Sequence, residues 1–370
     1  MPDALLRYLA QAPWVEELSA WAAIESCSRD AQGLAQMRVV LEQRLRRLGA
    51  AVERVGSMHL LARWPGVGQP ILLLGHFDTV YPRGTLVQQP IAQRDGGLFG
   101  PGVLDMKGGL LMGCLAIEAL QALDRRPRRP VWFLCTGDEE VGSPDARPWI
   151  ERYAREAAAV LVLEAAGNGG ALKTARKGVG LYELVVTGRA AHAGVAPEQG
   201  RSALLELAHQ IIWLHTLNDA AQGTTVNVCV AQGGTATNVV PAEARAAINI
   251  RVRTLAEAER IAAALQARQA VLDGVTLCFS GGLNRPPMER SAAIARLFAR
   301  AQALARELGF ELSETETGGG SDGNFTAALG VPTLDGLGPV GGGAHARHEH
   351  VQLASLAPRT ALLARLLETL

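Results

Sequence analysis

The chain has 370 residues, more than one hydrophobic core usually organises, so two domains are expected; at 48% hydrophobic residues it can bury large cores. Lys plus Arg and Asp plus Glu balance at 36 each, which removes the field expected of a nucleic-acid or acidic-membrane partner and favours a small-molecule substrate. The five cysteines, Cys27, Cys114, Cys135, Cys229 and Cys278, are widely spaced and form no Cys-x-x-Cys, as expected of reduced thiols in a cytoplasmic protein.

In chain order, residues 3–25 are predicted to form an amphipathic helix, with Asp3, Arg7, Glu16 and Glu17 interrupting every apolar run, so neither a signal peptide nor a membrane span is expected. A second helix is predicted over 31–48, where Leu34, Met37, Leu41, Leu45 and Leu48 keep helical spacing before Gly49. The apolar runs 71–74, 131–134 and 160–163 have the length of strands buried on both faces, and helices near 106–123 and 144–157 separate them. This is the pattern of an open α/β sheet flanked by helices, whose ligands bind at the carboxyl ends of its strands.

From about residue 177 the pattern changes to a strand over 179–187, a helix over 201–216, two strands joined by Gly233-Gly234, another helix and a strand near 275–280. Alternation over 247–253 puts Ile248, Ile250 and Val252 on one face and Asn249, Arg251 and Arg253 on the other, as in a half-buried strand. After Arg285-Pro286-Pro287 the α/β pattern resumes, with helices near 290–307 and 351–369 around a strand at 331–334. The expected organisation is a catalytic domain over 1–176 and 285–370, interrupted by an inserted α+β domain over 177–284.

Five metal-ligand candidates, His76, Asp105, Glu140, Glu164 and His345, stand in apolar or Gly-rich segments where strands should end. Two imidazoles with several carboxylates and no cysteine suit a pair of divalent ions such as zinc, one carboxylate being shared, and so a two-metal hydrolase. In His76-Phe77-Asp78, strand alternation lets Asp78 face the same side as His76 and orient its imidazole, although a His-x-Asp after a strand is commonly a surface pair. Asp105, among crowded glycines, also reads as a helix N-cap. Adjacent residues of an extended chain point apart, so Glu140 can bind metal while Glu139 acts as general base towards a water between the ions; the alternative is a solvated acidic turn.

The segments Gly75-His76-Phe77-Asp78-Thr79-Val80, Gly102 to Gly109 and Thr136-Gly137-Asp138-Glu139-Glu140 resemble those of the dizinc carboxypeptidase and N-acyl amino acid hydrolase family. So do Gly188 to Gly194, Thr237 to Pro241, Gly319 to Asn324 and Gly343-Ala344-His345, in the family's order and nearly end to end. That family includes bacterial glutamate carboxypeptidase, acetylornithine deacetylase, succinyl-diaminopimelate desuccinylase, aminoacylases and dipeptidases.

The resemblance implies that His76 and Glu164 bind one ion, Glu140 and His345 the other, with Asp105 bridging through a residue followed by a cis peptide, Glu139 as base and Asp78 orienting His76. It implies a homodimer through 177–284, in which His192 reaches the partner's site to stabilise the charged oxygen of the tetrahedral intermediate. Asn238 and Arg251 are expected to approach the substrate carboxylate, and Gly319, Gly320 and Ser321 to offer backbone donors. Glu164 resembles the glutamate carboxypeptidase branch, which points to cleavage of a C-terminal amino acid, glutamate first, from a peptide or acyl or folate-like conjugate.

Deacylation of an N-acyl amino acid uses the same attack on an amide and stays open, as does the choice among zinc, cobalt and manganese. A metal-holding dimer without turnover would lack the base, and Glu139 is present. Gly318-x-Gly320-x-x-Gly323 and Gly336-x-Gly338-x-x-Gly341 satisfy the dinucleotide glycine pattern, yet neither opens a complete strand-turn-helix unit. In His345-Ala346-Arg347-His348-Glu349-His350 the Gly-Ala-His context selects His345; His348 and His350 are expected to begin the last helix or take up adventitious metal, and Glu349 to support the site.

Overall fold

The computed structural model describes residues 3–370, and the chain divides into two compact units. The first comprises Met1–Ala175, Arg290–Thr317 and Ser321–Leu370; the second comprises Arg176–Glu289 together with Gly318–Gly320. The short glycine segment expected to lie with the flanking α/β part therefore falls with the second unit.

The first unit is a mixed α/β layer structure. Its six-stranded sheet runs Ala51–Val55, His59–Trp64, Val131–Thr136, Ile71–His76, Ala159–Val162, Thr333–Leu334. The first two strands form an antiparallel pair, the second is antiparallel to Val131–Thr136, and the remaining neighbours are parallel. The apolar run at 71–74 is buried on both faces, as its composition requires. Ile71 and Leu73 join a core with the helices Gly108–Ala122, Ala292–Glu307 and Leu353–Thr369, while Leu72 and Leu74 join Ile150, Tyr153 and Phe325 on the other side.

The second unit is an antiparallel sheet in the order Thr225–Gly233, Glu243–Val252, Gly178–Thr187, Thr276–Arg285. The helices Ala203–His215 and Leu255–Ala267 cover one face, and Ile248, Ile250 and Val252 are buried there. The chain closes this unit at its neck: Arg176 and Met288 exchange two backbone hydrogen bonds, each 3.0 Å.

Local chemistry explains where the elements depart from expectation. The N-terminal helix is two helices, Ala4–Leu9 and Trp14–Ala22, because Pro13 lacks an N–H and caps the second. The helix predicted from 106 starts at Gly108, since Asp105 and Met106 have non-helical dihedrals in the wider turn Val103–Lys107. The strands meeting at Gly233-Gly234 are joined instead by residues 234–242, which pair with the segment before the first long helix of the second unit. Glu139 and Glu140 are not extended but lie in the single 3₁₀ turn Glu139–Val141. His350 does not begin the last helix; it opens the short strand His350–Gln352 and its ring stacks on Phe99 at 4.7 Å.

Candidate metal centre

The parallel strands deliver acidic and imidazole groups to their carboxyl ends, on one side of the sheet's middle. His76 ends its strand, Glu139 and Glu140 follow the strand Val131–Thr136, and Glu164 stands two residues past Ala159–Val162. Asp105 comes from the turn before Gly108–Ala122, and the Asp105–Met106 peptide is cis. His345 lies in the connection between the antiparallel strands Gly341–Gly342 and His350–Gln352. Gly109 lets the Asp105 turn approach Glu164: a Cβ there would lie 1.9 Å from the Leu163 carbonyl oxygen.

All five predicted ligands come together, in two triads that share Asp105: His76, Asp105 and Glu164, and Asp105, Glu140 and His345. His76 Nε2 lies 3.2 Å from Asp105 Oδ1 and 3.5 Å from Glu164 Oε1. His345 Nε2 lies 3.2 Å from Asp105 Oδ2 and 3.2 Å from Glu140 Oε2. Two ligand atoms on one tetrahedral zinc ion, each at about 2.0–2.2 Å, are separated by roughly 3.3–3.6 Å, so the spacing fits a cation in each triad. Glu140 Oε1 is buried without a hydrogen-bond donor, as a carboxylate oxygen turned towards a cation would be.

The electrostatics have the same sign. Burial opposes charge on His76, but hydrogen bonds with Asp105, Asp78 and Glu164 outweigh it and hold the imidazole well above the ordinary histidine value. Hydrogen bonds to Asp105 and Glu140 raise His345 to about 10 despite its partial burial. Burial alone would raise Asp105, yet the two imidazoles hold its carboxyl far below the carboxylate range. For Glu140, burial prevails and pushes the carboxyl up. Carboxylates that favour positive charge on both imidazoles would also favour divalent cations among them.

Asp78 works on both sides of the cluster. Its Oδ1 lies 3.3 Å from His76 Nδ1, and its two oxygens accept the backbone N–H groups of Glu139 and Glu140, each at 3.1 Å. Ser28 Oγ adds a third donor at 2.7 Å.

Sequence reasoning gave no role to several residues beneath the acidic turn. Asp138 accepts from the N–H groups of Asp145 and Ala146, at 2.8 and 3.2 Å. Buried Asp322 takes the hydroxyls of Thr136, at 3.1 Å, and Ser143. Buried His59 accepts from the Gly137 N–H at 3.1 Å. Asp138 and Asp322 sit inside motifs that were visible; His59 carries no local signal, because its partner is 78 residues away.

Ser321 is buried, its hydroxyl donating to Asp335 at 2.6 Å and its N–H to Asn324 at 2.9 Å. Its backbone donor and hydroxyl are thus used in holding its own loop, contrary to the expected substrate contact. The second unit holds His192, Asn238, Arg251 and Gly319. Its loops 191–193 and 238–240 are zipped by Ala193 N–H to Asn238 O and Val240 N–H to Ala191 O, both 2.9 Å. His192 is exposed, and its Nδ1 faces the N–H groups of Gly194 and Val195 at 3.2 and 3.1 Å. Two donors to Nδ1 place the proton of the neutral ring on Nε2, which leaves an N–H available. Arg251 donates to Asn249 Oδ1 at 3.0 Å and to the Gly318 carbonyl at 3.3 Å, and Gly319 is exposed with its carbonyl on Arg176 at 3.2 Å.

The profile of peptidase family M20/M25/M40 matches residues 72–369. The chain belongs to that family. Carboxypeptidase G2 of Pseudomonas sp. (strain RS-16) is 30% identical over 365 residues, covering 95% of this chain and 88% of that one. Succinyl-diaminopimelate desuccinylase of Alkalilimnicola ehrlichii is 32% identical over 342 residues, covering 86% and 89%. Among solved structures, aminopeptidase PepT from Bacillus cereus superposes with a TM-score of 0.78 at 23% identity, covering 96% of this chain and 97% of that one. An M20 family metallo-carboxypeptidase from Sulfolobus solfataricus gives 0.73 at 18% identity, covering 97% and 100%. As a member of peptidase family M20/M25/M40 with carboxypeptidase and desuccinylase relatives, the protein is a metal-dependent hydrolase. Among the described residues no helix is long and apolar enough to cross a membrane.

Proposed function

We propose that the protein cleaves the amide bond that joins a C-terminal amino acid, glutamate first, to a peptide, acyl or folate-like group. The observation that carries this reading is the pair of triads sharing Asp105, set at the carboxyl ends of the parallel strands with Glu139 next to Glu140. In it His76 and Glu164 would hold one divalent ion and Glu140 and His345 the other, with Asp105 shared; the donor set suits zinc, and also cobalt or manganese. Such a pair supplies Lewis acidity, polarising an amide carbonyl and acidifying water.

The chain's own residues then move the proton. Glu139 accepts it from the attacking water and returns it to the leaving nitrogen, while Asp78 fixes both His76 and the turn that carries Glu139. His192 donates from Nε2 to the developing oxyanion, acting on the site of a second copy, and Arg251 with Asn238 receives the substrate carboxylate; Gly319 lines the same recognition loop. Supporting a homodimer through 177–284, the edge strand Thr225–Gly233 and its neighbouring helix expose Ile212 at 69%, Val230 at 57% and Leu205 at 51%.

A carboxypeptidase reading is favoured by the likeness to carboxypeptidase G2 over 95% of the chain, and glutamate by Glu164. The 32% identity to a succinyl-diaminopimelate desuccinylase supports a second reading, removal of a succinyl or acetyl group from an amino acid. A panel of glutamyl conjugates, dipeptides and N-acyl amino acids, assayed for released amino acid, separates them: preferential release from acyl amino acids would replace the first reading with the second. Glu139→Gln should abolish hydrolysis at unchanged metal content, and loss of metal would make Glu139 structural instead.

A further inference from the structure

We propose that Glu349 is a positioning residue that holds the Asp105 turn and the His345 loop at the spacing the Asp105–Glu140–His345 triad needs, so that removing it weakens that metal site more than the other. The inference rests on the metal-pair reading above.

Glu349 is buried, four residues after His345, and grips the turn that aims Asp105. Its Oε1 accepts the N–H of Leu104 at 2.8 Å and of Asp105 at 3.0 Å. Its main chain continues the grip, with the Gly100 N–H donating to its carbonyl at 3.1 Å and its own N–H donating to Ala346 O at 3.1 Å. One residue thus ties the bridging carboxylate's backbone to the histidine's loop.

The loop needs that tie. His345 has a φ of 63°, in the left-handed region that non-glycine residues seldom occupy, so local preference does not hold its imidazole in place. The flanking contacts do: Ala346 N–H to Gly343 O at 2.9 Å, and the Tyr81 hydroxyl to Ala346 O at 3.1 Å. Tyr81 also lies beside Glu349, five residues past His76, which brings the end of the central strand into the same brace. Burying a carboxylate is costly unless its contacts repay it, and here they lead to a ligand residue at each end.

The test strips the full-length protein of metal and titrates it with Zn²⁺ by calorimetry and with Co²⁺ by visible absorption, comparing wild type, Glu349→Gln and Glu349→Ala. Wild type should take up two ions. In Glu349→Ala the ion of the His345 triad should bind about 10–100-fold more weakly, with a changed cobalt spectrum, and the other ion should lose less, since it shares Asp105 but not the His345 loop. Glu349→Gln, whose amide oxygen still accepts from Leu104 and Asp105, should recover most of the affinity. Two ions bound with wild-type affinity and spectrum in both variants would overturn the proposal, as would equal weakening of both sites. Should the alanine variant fail to fold, Glu349→Asp decides, its carboxyl stopping one methylene short of Leu104 and Asp105: weaker binding of one ion than of the other supports the brace, and wild-type affinity for both overturns it. Fewer than two ions on wild type would instead fault the metal-pair reading, and the proposal falls with it.

Discussion

In the first unit several segments of the candidate metal cluster lean on a buried polar group: His76 and the Glu139–Glu140 turn on Asp78, the Asp105 turn on Glu349, and the strand end at Thr136 on Asp322. In the second, His192 and Asn238 are exposed and set by main-chain hydrogen bonds between two loops. Carboxylates gathered at one point repel one another and must be restrained by surrounding structure. A lone exposed imidazole has no neighbouring like charge to overcome, and a paired loop suffices.

The difference can be broken at its strongest point first. Glu139→Gln should lower kcat by about 10²–10⁴-fold while calorimetric metal uptake stays at the wild-type level. His192→Ala should lower kcat by about 10²–10³-fold with unchanged metal uptake and melting temperature; an unchanged kcat would remove it from the reaction. Asp322→Ala, which strands the buried hydroxyls of Thr136 and Ser143, should cost about 2–3 kcal/mol in urea unfolding. Asn238→Ala, at an exposed loop position, should cost less than about 0.5 kcal/mol, and equal losses would erase the contrast between the units.

The mildest test uses thiols. Burial pushes Cys114 up to about 12 and raises Cys135 as well, whereas Cys229 and Cys278 in the second unit are exposed. At neutral pH the exposed pair should react with a thiol reagent in the native state and the buried pair only after unfolding. Native labelling of Cys114 would show the first unit opening locally.

Much of this was legible because it is written in contiguous residues. The run at 71–74 announces a doubly buried strand, and the five ligand positions each sit in a recognisable segment. What stayed hidden depends on partners far along the chain. Nothing near His59 points to Gly137, and nothing near Ser321 says that Asp335 and Asn324 absorb its donors. The strands Ala51–Val55 and His59–Trp64 were missed because charged residues break the first one's apolar alternation, so only pairing with the central sheet defines it. Glu139 and Glu140 read as extended because a 3₁₀ turn of one step has no periodicity to display.

The hydrogen-bonded neck between Arg176 and Met288 also bears on how such a chain is rearranged by recombination. Residues exchanging both backbone hydrogen bonds across antiparallel strands have Cα atoms about 5.5 Å apart, a gap that a very short turn can span. Excising the intervening segment therefore leaves ends that a few residues can rejoin, and splicing in a segment of another length asks nothing of the main chain on either side. The segment between the two residues is in this sense a cassette, while the charged cluster of the first unit has supports of its own.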